Sequence, residues 1–303
     1  MQESYMSNAQ LNILSNFIYD PVDFTLNRWM SATPVIDNLS FADLVLPGAH
    51  NAGVDKKASY AAPGVSHWAA CQSNSFYYQL TQGARALDLR LEYEVSQKGV
   101  ATFWFHHNGF RSSRSLENLV TGVIRFLQEN PDEFILLDFH ELTSDKQPFD
   151  FKELNRFLLT HLGDRMIPCS NAFLTLGELK QTSSAQRVLV ATERHPDMDS
   201  SWFCRQIEHK WSGIATTSIS ELTTHITRVM KYPPSGWPWS LSATSYSALG
   251  GPVNIRQQLD DWFDPTGRDW TLKSSIINAD FFETSKLVQH CWTANVIKAN
   301  NDA

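Results

Sequence analysis

Five times in the first 195 residues an apolar, β-branched or aromatic run ends in polar or charged side chains, and helical patterning fills two of the gaps between such runs. The runs lie at 40–46, 84–91, 99–105, 133–141 and 186–194. Strand, helix, strand, with polar groups gathered at the C-terminal ends, is the pattern of a parallel sheet closed into a barrel with its site at one rim. The expected fold is therefore α/β, a distorted (β/α)8 TIM barrel. No internal repeat, low-complexity tract or linker divides the 303 residues, so one catalytic domain over 1–303 is expected, with 1–40 as an N-terminal helical cap.

The first run rises through Leu44, Val45 and Leu46 until Pro47 and Gly48 break it, leaving His50 and Asn51 just beyond the strand end. In the second, alternation puts Asp88 and Arg90 on one face and Arg85, Leu87, Leu89 and Leu91 on the other. Helices cover the outside of such a barrel, so the apolar face points outward and the charged pair toward the interior or mouth. The third run ends in His106-His107-Asn108-Gly109. An amphipathic helix follows over 115–130, with Leu116, Leu119, Val120, Val123, Ile124 and Leu127 as its stripe and Asn130-Pro131 as its stop. The fourth run carries Asp138 and His140, the fifth Arg194, and a helix is expected over 150–162. Beyond 195 the pattern weakens, leaving a small-residue strand over 240–245, a last strand over 275–280 that ends in Asp280, and a terminal helix near 284–298.

The formal net charge of −7 argues against nucleic acid as a partner, because phosphate neutralisation calls for a basic face. The 4 cysteines, Cys71, Cys169, Cys204 and Cys291, show neither zinc-ribbon nor scaffold spacing and are expected as reduced thiols. The first twenty residues lack the basic and apolar regions of a secretory signal, and no run is long enough to span a bilayer. A soluble protein is expected, cytoplasmic or exported without a visible signal. Trp237 and Trp239, in a proline-punctuated loop, read equally well as a lipid-dipping pair or as packed loop residues.

Two histidines, an arginine and an aspartate at separate strand ends suit phosphodiester cleavage. One imidazole takes the proton of the attacking hydroxyl, the other protonates the leaving oxygen, and the guanidinium binds the phosphate. An aspartate holds the base in its tautomer.

The stretches LPGAHNAG, QLTQGARALDLRLEY, FHHNGF and NLVTGVIRFLQENPDEFILLDF, in that order over 40–142, resemble the X region of phosphatidylinositol-specific phospholipases C. LSATSYSALGG and SIINADFF look like the later strands of the bacterial-type, single-domain branch. The resemblance implies a lyase reaction on phosphatidylinositol that releases diacylglycerol and leaves inositol 1,2-cyclic phosphate. It makes His50 the base, His107 the acid with His106 as fallback, Asp280 the partner of His50, and Arg90 the phosphate clamp, with Asp88 and Asn51 completing the catalytic set. Calcium-dependent members carry a carboxylate where Arg90 stands, so no metal and no cofactor is expected. Asn51 departs from the aspartate usual in the bacterial branch, and Asn51, Asp88 and Asp138 would be the ligands of any residual hard-cation site. Head-group binding is expected from His140, Arg194 and Ser242 or Thr244. The partners implied are a phosphatidylinositol-like head group and a transient membrane interface, with the protein acting as a monomer. Two other readings stay open: a calcium-dependent glycerophosphodiester phosphodiesterase, and a catalytically silent barrel that binds inositol phosphate or membrane.

Overall fold

In the computed structural model, which describes residues 24–301, eight parallel strands curl into one sheet. The chain runs through β1 (Leu46–Ala49), α1 (Val65–Ala69), α2 (Phe76–Thr81) and β2 (Ala86–Val95). It continues through β3 (Ala101–His107), β4 (Phe110–Ser115), α3 (Leu116–Glu129), β5 (Ile135–Ser144), α4 (Phe151–Leu162) and α5 (Leu176–Thr182). Then come β6 (Val188–Thr192), β7 (Phe203–Arg205), β8 (Glu208–Lys210), α6 (Ile219–Val229), β9 (Trp239–Ser242), β10 (Ser245–Ser247) and β11 (Gly251–Val253). Last are α7 (Arg256–Trp262), α8 (Trp270–Lys273), β12 (Ile276–Ala279) and α9 (Leu287–Asn301). The parallel strands lie in the order β7-β6-β5-β2-β1-β12-β9-β8. This is the expected barrel, with a distortion at its edges. β7 pairs with β6 and β8 with β9, and only Gln206 and Ile207 separate them, with no helix between and no ladder joining them among the described residues.

Alternation along β2 decides which way its charges face. Leu87, Leu89 and Leu91 are fully buried under the outer layer, so Asp88 and Arg90 turn into the barrel. The stripe of α3 packs on the outside, with Leu116, Leu119, Val120, Val123 and Leu127 buried as expected, Ile124 half-buried, and Phe126 buried in addition. Ser115 and Asn118 close a capping box at its start. At the N-terminal end of the barrel Arg85 meets Glu133 at 2.6 Å, and both side chains are completely buried. Arg85 also donates to the carbonyls of Leu80, Ala84 and Asn27, and Glu133 accepts from the Ser31 N–H, so the pair's polar atoms are satisfied.

Several sequence expectations are corrected. The 1–40 helical cap lies largely outside the described residues, the 11–14 fragment included; within 24–40 the chain forms short 3-10 turns at Leu26–Arg28 and Pro34–Asn38. The first strand begins at Leu46, because the Asp43 carboxylate accepts from the Ser40 N–H and hydroxyl and folds 40–43 into a turn. Pro47 and Gly48, read as strand breakers, lie inside β1. A Cβ on Gly48 would stand 2.8 Å from Ile276 Cγ2, so a glycine lets β1 and β12 approach. The strand ending in His106-His107 is no barrel strand: β3 pairs antiparallel with β2 and turns into β4, a hairpin attached to the rim. Cys169 and Cys204 are joined in a disulfide, which their separation of 35 residues did not advertise, whereas Cys71 and Cys291 are free. Trp237 and Trp239 are buried, the former between Phe173 and Arg205, so they are not lipid-facing.

Candidate active site

β1 and β12 run side by side in register, Ala49 opposite Ala279, so the residues that follow them, His50 and Asp280, emerge together at the C-terminal rim. The His50 Nδ1–H donates to Asp280 Oδ1 at 2.7 Å. That bond leaves the lone pair on Nε2, which faces Arg90 Nη2 at 3.2 Å. Arg90 reaches there from β2, braced by Asp88: Nη2 donates to Asp88 Oδ2 at 3.1 Å and Nε to Oδ1 at 3.3 Å. Asn278 Nδ2 and the Asn51 N–H also donate to Asp88. Although burial alone would raise it, this surrounding charge, Arg90 foremost and then His209 and His50, holds the Asp88 carboxyl well below its ordinary range. With Arg90 across both oxygens of Asp88, the guanidinium occupies the place where a cation on that carboxylate would sit.

Across the opening stands His107, at the tip of the β3–β4 hairpin. Its ring is perpendicular to that of His50, with centroids 6.0 Å apart. The Nδ1–H donates to the Ala69 carbonyl at 3.0 Å, which fixes the ring, and Asn108 Nδ2 lies 3.2 Å from Nε2. Burial, and secondly the neighbouring His50, push the His107 imidazole down to about 4. His106 points to the other face of the strand, 3.2 Å from the Thr143 hydroxyl. Of the two histidines, His107 is the one that shares a pocket with His50.

The backbone around these groups is locally unusual. The non-glycine residues with positive φ among those described are Asn51 (46°), Asn108 (50°) and Phe281 (48°). Each directly follows a site residue, His50, His107 or Asp280. A left-handed conformation costs such residues energy that the surrounding structure must sustain, and it turns the chain sharply at the end of a strand. The turns are tied down from below. Gln72 Nε2 donates to the carbonyls of both His50 and Ala279, and Gln79 Nε2 to that of Ala52. Gly53 lies so close to Phe105 that a Cβ would fall 2.1 Å from its ring, which leaves glycine as the residue that fits between β1 and the hairpin.

His50, Arg90, His107 and Asp280 line one cleft of about 360 Å³, together with His140, Ser242 and Thr244. The head-group expectations at His140 and at Ser242 or Thr244 thus fall in the same pocket as the residues expected to be catalytic. Arg194 does not: β6 ends at Thr192, and the chain carries Arg194 to a separate surface depression with His195 and Phe203. Asn51 is buried beside the cleft with neither side-chain atom partnered, while Asp138 is engaged by His209 at 2.6 Å. His209, Trp211, Thr217 and Tyr246 complete the walls and were missed in the sequence. Their one signal was the aromatic and polar content of the weakly patterned region after 195; β8 has three residues, too few to show alternation.

No family model matches the chain. It is 26% identical over 128 residues to a 1-phosphatidylinositol phosphodiesterase of Listeria monocytogenes, an alignment covering 42% of this chain and 37% of that protein. It is 27% identical over 268 residues to the variant-surface-glycoprotein phospholipase C of Trypanosoma cruzi, covering 73% of this chain and 67% of that one. With the human PI-PLC X domain-containing protein 2 it shares 24% over 215 residues, 64% of this chain and 68% of that protein. The matches to the Listeria and Trypanosoma proteins therefore span from just over a third to two thirds of those proteins' lengths. Among solved structures, the phosphatidylinositol-specific phospholipase C of Listeria monocytogenes superposes with a TM-score of 0.63 at 20% identity, over 89% of this chain and 99% of that one. A mutant of the Staphylococcus aureus enzyme gives 0.64 at 16%, over 91% and 98%. In sequence and in fold, the chain is similar to the phosphatidylinositol-specific phospholipases C.

Proposed function

We propose that the chain is a phosphatidylinositol-specific phospholipase C, cleaving the lipid to diacylglycerol and inositol 1,2-cyclic phosphate without a metal. The observation that carries this reading is the pair of imidazoles facing each other across 6.0 Å, one of them held between Asp280 and Arg90. A phosphate between them meets a base on one side, an acid on the other and a fixed guanidinium. His50 Nε2, its lone pair exposed by the Nδ1–Asp280 bond, accepts the proton of the inositol 2-hydroxyl as that oxygen attacks phosphorus. His107 Nε2–H gives its proton to the departing glycerol oxygen. In the empty site burial keeps His107 neutral; an anionic phosphate beside it favours the charged form and readies the acid. Arg90, oriented by Asp88, stabilises the charge that grows on the phosphoryl oxygens. Asn51, unlike a carboxylate, adds no charge to the acid side, so His107 relies on the bound phosphate for its proton affinity. His140 and Thr244, which line the same cleft, would bind ring hydroxyls of the head group.

One chain completes the site, which is consistent with a monomer. The lipid would be drawn from a membrane surface by the rim. Trp211 and Ile214, 55% and 41% exposed, border the cleft, and Leu249, 86% exposed, tips the turn between β10 and β11. Such side chains suit the interface between headgroups and acyl chains. Among the described residues no helix is long and apolar enough to cross a membrane.

Phosphorus NMR of phosphatidylinositol in mixed micelles with the protein in excess EDTA tests the proposal. A transient five-membered cyclic phosphate resonance is expected. Silence in EDTA with recovery on adding calcium would replace it by a metal-dependent phosphodiesterase, and silence in both would leave a binding barrel.

A further inference from the structure

In the same cleft as the proposed catalytic set the barrel holds a second group of side chains that neither of the proposed proton transfers uses. Asp138 and His140, two residues apart on β5, share its inward face, and His209 reaches them from β8 at the edge of the sheet. His209 Nε2 lies 2.6 Å from Asp138 Oδ2, and the His140 and His209 rings stack with centroids 3.6 Å apart and planes 12° from parallel. One donor atom from each residue falls within 4.8 Å of the others. Two polar atoms in this group are buried without a partner: Asp138 Oδ1, on a residue 2% exposed, and His140 Nδ1. A carboxylate oxygen left without a hydrogen bond in the interior is costly, and one in a group with two imidazoles offers a place for a positive centre. Arg90 does not supply it, since its guanidinium is taken up by Asp88.

We propose that Asp138, His140 and His209 form a 2-His-1-carboxylate site for a divalent ion of the zinc type. Two neutral imidazole nitrogens and one carboxylate oxygen suit zinc and its transition-metal neighbours and disfavour calcium and magnesium, which take mostly oxygen. An ion lies in the plane of each imidazole that binds it, so loading swings at least one of the two rings out of the stack. The His209–Asp138 hydrogen bond gives way on loading: the imidazole proton moves from Nε2 to Nδ1, and Nε2 turns its lone pair to the metal. Three protein ligands leave a tetrahedral ion one open position. Both histidines line the catalytic cleft, so that position is within reach of a hydroxyl or phosphate oxygen of a bound ligand. The site is separate from the carboxylate-and-amide arrangement around Asp88, and an ion on it would stand between His140 and the head-group hydroxyls assigned to that residue above.

The test is calorimetric titration of the whole chain with zinc chloride, read without turnover, so that an inactive protein still answers it. One ion per chain is expected, with affinity lowered at least about tenfold in Asp138→Asn and in His209→Gln. A Cys71→Ser variant serves as control, because His50, Cys71 and Asp280 also lie within donor distance of one another. Cobalt loading of the unsubstituted protein keeps the test independent of how the variants fold. A tetrahedral ligand-field spectrum without a sulfur-to-cobalt charge-transfer band is expected. Absence of binding in micromolar zinc would overturn the proposal and leave Asp138–His209 as a brace across the barrel. A thiolate band, or binding lost with Cys71→Ser and kept without Asp138, would overturn it in favour of the other cluster.

Discussion

His50 Nδ1 stands 2.7 Å from Asp280 Oδ1, a contact between the ends of two parallel strands that lie 230 residues apart in sequence. The aspartate thereby chooses which nitrogen of His50 carries the proton. Asp280→Asn keeps the volume and removes the charge, and an amide can present its N–H to Nδ1 and invert the tautomer. Turnover of phosphatidylinositol should fall on the order of 10³-fold or more with the thermal midpoint little changed. A loss below about tenfold would show that His50 does not depend on this partner.

The two histidines should separate by leaving group. If His107 is the acid, as proposed, His107→Ala removes proton donation to the departing oxygen, which matters little when that oxygen is a stable anion. Against an inositol phosphodiester with a nitrophenol leaving group, the variant should recover most of a deficit of about 10²–10⁴-fold seen with the lipid. His50→Ala should stay impaired on both. Equal deficits on the two substrates in His107→Ala would assign that residue another role.

His107 also shapes the dependence of stability on pH. Its folded value of about 4 lies below the 6.5 of a free imidazole, so between these pH values the unfolded chain holds the extra proton. Stability contributed by neutral His107 is complete above pH 6.5 and is lost as pH falls toward 4. The full effect is on the order of 3 kcal/mol. Denaturant unfolding at pH 7 and near pH 4.5 should show a steeper loss in the native chain than in His107→Gln. Parallel losses would contradict the burial of this ring.

Glu133→Gln should be among the most damaging substitutions far from the site. It leaves the Arg85 guanidinium charged and wholly buried with its carboxylate gone, at a cost of about 3–5 kcal/mol by denaturant titration. The double replacement Arg85→Met with Glu133→Leu should regain most of that loss.

The barrel, and the placing of His50 and Asp280 each at a strand end, were legible because strand alternation and strand-end position carry information about direction as well as structure; their pairing came from the family resemblance alone. Asp88 and Arg90 could be aimed inward from the leucines between them. Local competition hid the true start of β1, since Asp43 captures Ser40, and the hairpin nature of β3 depends on pairing partners that periodicity does not encode. Arg194 was misplaced because its strand ends two residues sooner than its apolar run suggests. His209 was invisible for a different reason: its strand of three residues has no period, and its meaning comes from Asp138 on the opposite wall.

On the proposed function, the hairpin of β3 and β4 sets up a division of labour between scaffold and appendage. The proposed base, clamp and orienting aspartate stand on or directly after strands of the parallel sheet, but the proposed proton donor rides on an antiparallel extension outside it. Transient opening of that extension would disarm the leaving-group step while the phosphate pocket stayed intact, so the protein could hold its ligand in a state unable to release product. By the same division, mutations in the hairpin can retune which alcohols depart without touching the barrel strands, a route by which such a scaffold can diversify among lipids.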